Sequence, residues 1–133
     1  MRSIIVDAGP LVALFLTGDR HHQRAKEVIE ASRAVMMTTW PVVTEACHFL
    51  GQTHKRALLT LIRRGGLRLT DVALEELARL DDLIARHENM DFADATLVAL
   101  AERTGVMDIF TIDRRDFEGF RARNGRRFRL MSI

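Results

Sequence analysis

Tyrosine is absent from the 133-residue chain, cysteine and tryptophan occur once each, and proline occurs twice. A lone cysteine, Cys47, excludes an intrachain disulfide and any cysteine-based zinc site. Within VVTEACHFL it reads as a small buried apolar residue. Trp40 has no aromatic neighbour in sequence, so it reads as a core or interface residue rather than a platform for stacking bases. No run of about 18 apolar residues exists, which excludes a transmembrane helix. Internal repeats, low-complexity tracts and Pro/Gly/Ser linkers are missing too, so one domain over residues 1–133 is expected.

Lysine is also scarce: of twenty basic residues only Lys26 and Lys55 are lysine. The net charge of +2 conceals an asymmetry. Residues 114–133 hold seven arginines against Asp116 and Glu118, a net +5, while the first 113 residues sum to −3. Arginine's planar fork suits bidentate contacts to phosphate or carboxylate, so the tail reads either as a solvated basic face or as a surface for an anionic partner. At 47% hydrophobic and 29% charged residues, the composition is that of a globular chain. Arg2 followed by an apolar run resembles a signal peptide, but Asp7 and Pro10 interrupt the run, so a mature cytoplasmic start is expected.

Apolar runs alternate with helical patterns along the chain. RSIIVD reads as a buried strand ending at a Gly-Pro breaker, followed by a short helix over LVALFL and a second over DRHHQRAKEVIEAS. AVMMTT is a strand, and Pro41 opens a helix through VVTEACHFL to Gly51. HKRALLTLIRR predicts a helix and LRLT a short strand; Asp71 can cap a helix through VALEELARLDDLIARH. DFADATLVALAERT predicts a helix stopped at Gly105, MDIFTI a strand, DFEGF one turn, and RFRLM a closing strand. Strands alternating with helices predict an α/β fold with a parallel sheet covered on both faces, its crevice at the C-terminal strand ends.

Four carboxylates occupy conspicuous places. Asp7 and Asp113 each follow an apolar strand, Glu45 lies in an apolar helix, and Asp94 lies within DFADATLVALA. Each has a simpler reading: Asp91 and Asp94 as helix capping, Asp113 as the opening of a turn, Glu45 as the partner of an arginine. Brought together, four unneutralised carboxylates repel. A hard divalent cation such as Mg²⁺ or Mn²⁺ relieves that conflict, and such ions activate water and support in-line phosphoryl displacement.

The segments IIVDAGPLVALF, GDRHHQRA, VVTEA, ADATLVALAERTG and IFTIDRRDF, in this order along nearly the whole chain, resemble the PIN-domain family, in particular the VapC-like toxin ribonucleases. The resemblance implies a three-layer α/β/α domain with a mainly parallel central sheet. It also implies an acidic pocket that binds Mg²⁺ or Mn²⁺ and hydrolyses RNA, leaving a 5′-phosphate and a 3′-hydroxyl. Carried over by position, Asp7, Glu45, Asp94 and Asp113 are the catalytic and metal-binding acids. Thr111 matches a hydroxyl position that orients a ligand, and Asp116 an auxiliary acid; Asp91 has no assigned role. The implied partners are RNA, a VapB-like antitoxin whose arginine enters the acidic pocket, and a second copy of the chain in a homodimer. His21 and His22, with Asp19, match a position that shapes a helix start.

Other chemistries fit less well. Glu45 and His48 form one E-x-x-H pair, but a di-iron bundle needs a second, so His48 is expected to be packed or to lie beside the site. A haloacid-dehalogenase site needs an acid two residues after Asp7, where this chain has Gly9. The rival from another class is a non-catalytic PIN-like module that binds RNA or sequesters a protein.

Overall fold

A computed structural model describes residues 2–131. Its strands are β1 (Ser3–Val6), β2 (Val35–Thr39), β3 (Leu67–Thr70), β4 (Asp108–Phe110) and β5 (Arg129–Met131). They form one sheet in the order β3-β2-β1-β4-β5 with every neighbouring pair parallel. Ile4, Ile5 and Val6 are completely buried, as expected of a central strand covered on both faces. The helices are α1 (Ala8–Phe15), α2 (His22–Ser32), α3 (Trp40–Cys47), α4 (Gln52–Arg63), α5 (Leu77–Arg86), α6 (Phe92–Thr104) and α7 (Arg114–Gly119). Right-handed crossovers between parallel strands distribute them over both faces, giving the three-layer α/β/α arrangement. The chain steps outward from β1 to β3 and then returns to β4, so the order reverses between β1 and β4. A crevice opens at such a point, beyond the carboxyl ends of the strands.

Several expectations are corrected. The helix predicted from Asp71 begins later, as a 3₁₀ turn over Leu74–Glu76 that leads into α5. Glu76 supplies the cap instead: its carboxylate accepts from the Ala73 amide at 3.1 Å. β4 is shorter than MDIFTI because Thr111 and Ile112 belong to the crevice loop. DFEGF is part of a six-residue helix, since Phe117 is buried edge-on against Phe120 and Phe128, with centroids 5.1 and 6.5 Å away. Of the two places expected for Trp40, core or interface, its 41% exposure at the start of α3 removes the core. His48 is exposed in the turn after α3 rather than packed.

Two buried ties hold α6 in place. Thr96 donates to the Ala93 carbonyl at 2.7 Å, so the 2.7 Å contact between its hydroxyl and that of Thr39 is donated by Thr39. This joins the start of α3 to the first turns of α6. On its far side the Arg79 fork of α5 grips Glu102 at 3.0 and 2.6 Å. Among the described residues no helix is long and apolar enough to cross a membrane.

Thr96→Val takes away the acceptor of a fully buried hydroxyl and is expected to cost about 1–3 kcal/mol of unfolding free energy in urea titrations. Thr60→Val, on the surface of α4, is expected to change stability by no more than about 0.5 kcal/mol.

Candidate active site

Asp7 ends β1 and caps α1, which places its carboxylate at the crevice. Its amide donates to the Phe110 carbonyl of β4 at 2.9 Å, so the residue is registered on both central strands. One carboxylate oxygen accepts from the Ala8 amide at 2.8 Å; the other accepts from the Thr111 hydroxyl at 2.9 Å. That same completely buried hydroxyl accepts from the Asp113 amide at 3.0 Å, so Thr111 couples the first acid to the last. Gly9 permits the approach: a Cβ there would lie 3.0 Å from the Ile112 side chain.

Asp94 occupies the first turn of α6 and Asp91 is its N-cap. The Asp94 amide donates to the Asp91 carboxylate at 2.8 Å, and the Asp91 amide donates back to Asp94 at 3.3 Å. Both therefore do serve the capping role, as a reciprocal capping box. Glu45 projects from α3 between buried Val42, Val43 and Ala46, and no ion pair engages it among the described residues. Asp113 stands, exposed, at the N-cap position of α7 without a side-chain capping bond. Asp116, one turn on, accepts from the Asn89 side-chain amide at 2.7 Å.

The structure brings all four predicted acids together. Asp7, Glu45, Asp94 and Asp113, with Asp91, Asp116 and Asn89, line one cleft of about 300 Å³ that has no lysine, arginine or histidine in its wall. Asn89 escaped the sequence reading because nothing marks it in HENMD; only the fold carries it beside Asp116.

The cleft is electrostatically tense. Burial raises the pKa of Asp7 despite the amide and hydroxyl bonds it accepts, and the charges of Asp91 and Asp116 add to the rise. Glu45 is raised by burial and then by Asp91 and Asp7. Asp113 is raised chiefly by the hydrogen bond it shares with Asp116, then by burial. Asp94 moves furthest, pushed up to about 8 by burial and by the charges of Asp91 and Asp7. Oxygen donors in surplus, without a counter-cation, are the donor set a hard divalent ion takes. Among the described residues no three acids are already gathered tightly enough to hold an ion unaided.

Comparisons with known proteins bear on the family and the fold. The PIN domain family model matches residues 4–122. Ribonuclease VapC26 of Mycobacterium tuberculosis is 26% identical over 96% of this chain and 99% of its own length. The crystal structure of M. tuberculosis VapC20, described as a sarcin-ricin loop cleaving toxin, superposes with a TM-score of 0.73 at 26% identity, over 80% of this chain and 87% of that one.

The pKa of Asp94 in the folded chain, about 8, lies above its ordinary 3.8, so folding tightens its hold on a proton. Its contribution to stability is complete below the ordinary value and is lost as pH rises through the folded one. The metal-free chain is expected to melt at progressively lower temperature as pH climbs across that window. Asp94→Asn should flatten the decline and raise the melting temperature at its alkaline end. Thermal melts of the two proteins over a pH series check this; parallel curves would refute it.

Proposed function

The chain belongs to the PIN-domain family, and from that premise we propose that it is a VapC-like toxin, a Mg²⁺- or Mn²⁺-dependent endoribonuclease that hydrolyses RNA at the acidic cleft. The observation that carries this reading is the meeting of Asp7, Glu45, Asp94 and Asp113, from four separate segments, in a cleft without a basic side chain in its wall. Similarity over nearly the whole chain to a protein named as a ribonuclease supports it.

In this reading those four acids are the metal ligands and the catalytic residues. A divalent ion bound there supplies an activated water and offsets charge on the phosphate during displacement. The chain's own residues set the geometry. Thr111 orients Asp7 by donating to its carboxylate, and Asp91 fixes Asp94 through the capping box. Asn89 restrains Asp116. Asp94 holds a proton near neutral pH in the absence of the ion and gives it up on ion binding, so apparent affinity for the ion rises with pH. The partners that follow are RNA, a VapB-like antitoxin whose arginine neutralises the carboxylates, and a second copy of the chain, all in the cytoplasm.

The test is cleavage of structured RNA with Mg²⁺ or Mn²⁺. Asp7→Asn and Asp94→Asn are expected to lower the rate by about 100-fold or more, and Thr111→Val by about 10- to 100-fold in activity or ion affinity. Unchanged cleavage in both aspartate variants refutes the assignment, and RNA binding without cleavage by the unaltered chain establishes the non-catalytic module instead. Growth arrest on expression, relieved by the neighbouring gene product, tests the toxin reading separately.

A further inference from the structure

A second space among the described residues is larger than the acidic cleft. A space of about 750 Å³ lies between α5 and residues 121–125, walled by Arg79, Arg86, His87, Arg121 and Arg123. The segment from Arg121 to Arg127 is a hairpin: these two residues form an antiparallel bridge, and Ala122 donates to the Arg126 carbonyl at 3.1 Å. Its turn is closed at Gly125, whose φ of 79° lies in the left-handed region.

The arginines of this wall are not equivalent. Arg79 is committed to Glu102 and Asp82, and Arg86 to Asp82 at 2.9 Å. Arg121 donates through one nitrogen to the carbonyls of Glu118 and Phe120 at 2.6 and 2.8 Å, which fixes its guanidinium without neutralising it. Neither Arg121 nor Arg123 has a carboxylate partner among the described residues. A neighbouring space of about 600 Å³, which Arg123 and Arg79 also border, is more mixed in charge, with Glu75, Glu76 and Glu102 in its wall and Arg103 paired to Glu76. On the other flank of α7, Arg114 already bridges Glu118 at 2.8 Å. Arg121 and Arg123 thus bring positive charge without a carboxylate partner to the α5–hairpin cleft.

This cleft adjoins the acidic one. His87 borders the first, with its ring edge-on to Phe120 at 5.2 Å; Asn89, two residues on, borders the second and donates to Asp116. An RNA strand brought to six carboxylates meets net repulsion along its backbone, and affinity must come from cations outside the reacting centre. We propose that the α5–hairpin cleft binds the phosphodiester backbone of the RNA strand leading away from the acidic cleft, with Arg121 and Arg123 as its phosphate ligands. The proposal rests on the ribonuclease reading. A guanidinium fork held in place and lacking a carboxylate is suited to bidentate phosphate contact.

The test measures fluorescence anisotropy of a long single-stranded RNA and of a trinucleotide, with Asp94→Asn protein as the uncleaving background. Arg123→Glu and Arg121→Gln are each expected to weaken the long RNA about tenfold and to reduce the salt slope of log K by about 0.7. The trinucleotide, with only two phosphodiester linkages to share between the clefts, should be affected far less. Lys55→Glu on α4 controls for net charge. Equal losses from Lys55→Glu and Arg123→Glu, or equal losses on both RNAs, overturn the proposal. So does a pattern in which Arg123→Glu abolishes binding of polyglutamate and leaves RNA untouched, because the cleft then takes an acidic protein segment. If the unaltered chain cuts RNA while both arginine variants bind it as before, only the cleft assignment falls. If it neither binds nor cuts RNA, the ribonuclease reading falls and the cleft with it.

Discussion

Repulsion among carboxylates at one end of the sheet is the constraint to which the rest of the molecule answers. Two unit charges 4 Å apart near a protein surface cost about 4 kcal/mol at an effective dielectric constant of 20. Asp7, Glu45, Asp91, Asp94, Asp113 and Asp116 share a single small cleft. No basic residue in the wall relieves them, although the chain has twenty lysines and arginines to place. The strain is answered locally, by protonation of the most deeply affected group, Asp94, and by hydrogen bonds donated to the carboxylates. The arginines lie outside the cleft wall and leave its carboxylates without a basic partner there.

The same carboxylates also start helices. Asp7 caps α1, Asp91 caps α6, and Asp113 stands at the cap position of α7. A helix N-terminus carries about half a positive charge and four unpaired amides, so it is among the few places in an apolar fold where a carboxylate is locally favoured. A parallel sheet delivers a helix start beyond the end of each strand, and the reversal of strand order gathers those of α1 and α7 beside one another. Thr111 completes the arrangement by donating to Asp7 and accepting from the Asp113 amide. Removing a capping acid therefore affects both local folding and the cleft, and an amide substitution that retains an acceptor separates the two roles better than alanine.

Much of this was legible in the sequence because strand ends and helix starts are local features. IIVD followed by Gly9-Pro10, and IFTID followed by RRDF, announce a buried strand and its carboxylate without tertiary information. Glu45 and Asp94 were legible by contrast, as acids within apolar helical patterns. What escaped depends on contacts remote in sequence. The Asp71 cap gave way to Glu76 because a side chain three residues beyond Ala73 reached its amide first. Residue type left Trp40 open between core and interface, and only the fold shows it exposed at the start of α3. Asn89 carries no pattern at all; its place beside Asp116 follows from how α7 packs through Phe117.

The arginine-rich tail shows why composition alone leaves a function undecided. Its net +5 reads equally as solvated surface or as an anion site, and the structure divides it residue by residue. Arg129 serves the fold: with Arg2 it binds the nearly buried Asp108 at the opposite end of β4 from the acidic cleft. Arg114 is occupied along α7 by Glu118. Arg121 and Arg123, like Arg115, Arg126 and Arg127, have no carboxylate partner among the described residues; one is braced by carbonyls, the other lies on the hairpin turn, and both border the α5–hairpin cleft. Positive charge that the fold does not consume, kept beside a cluster of opposite sign, is what a polyanion needs in order to be held near carboxylates that repel it.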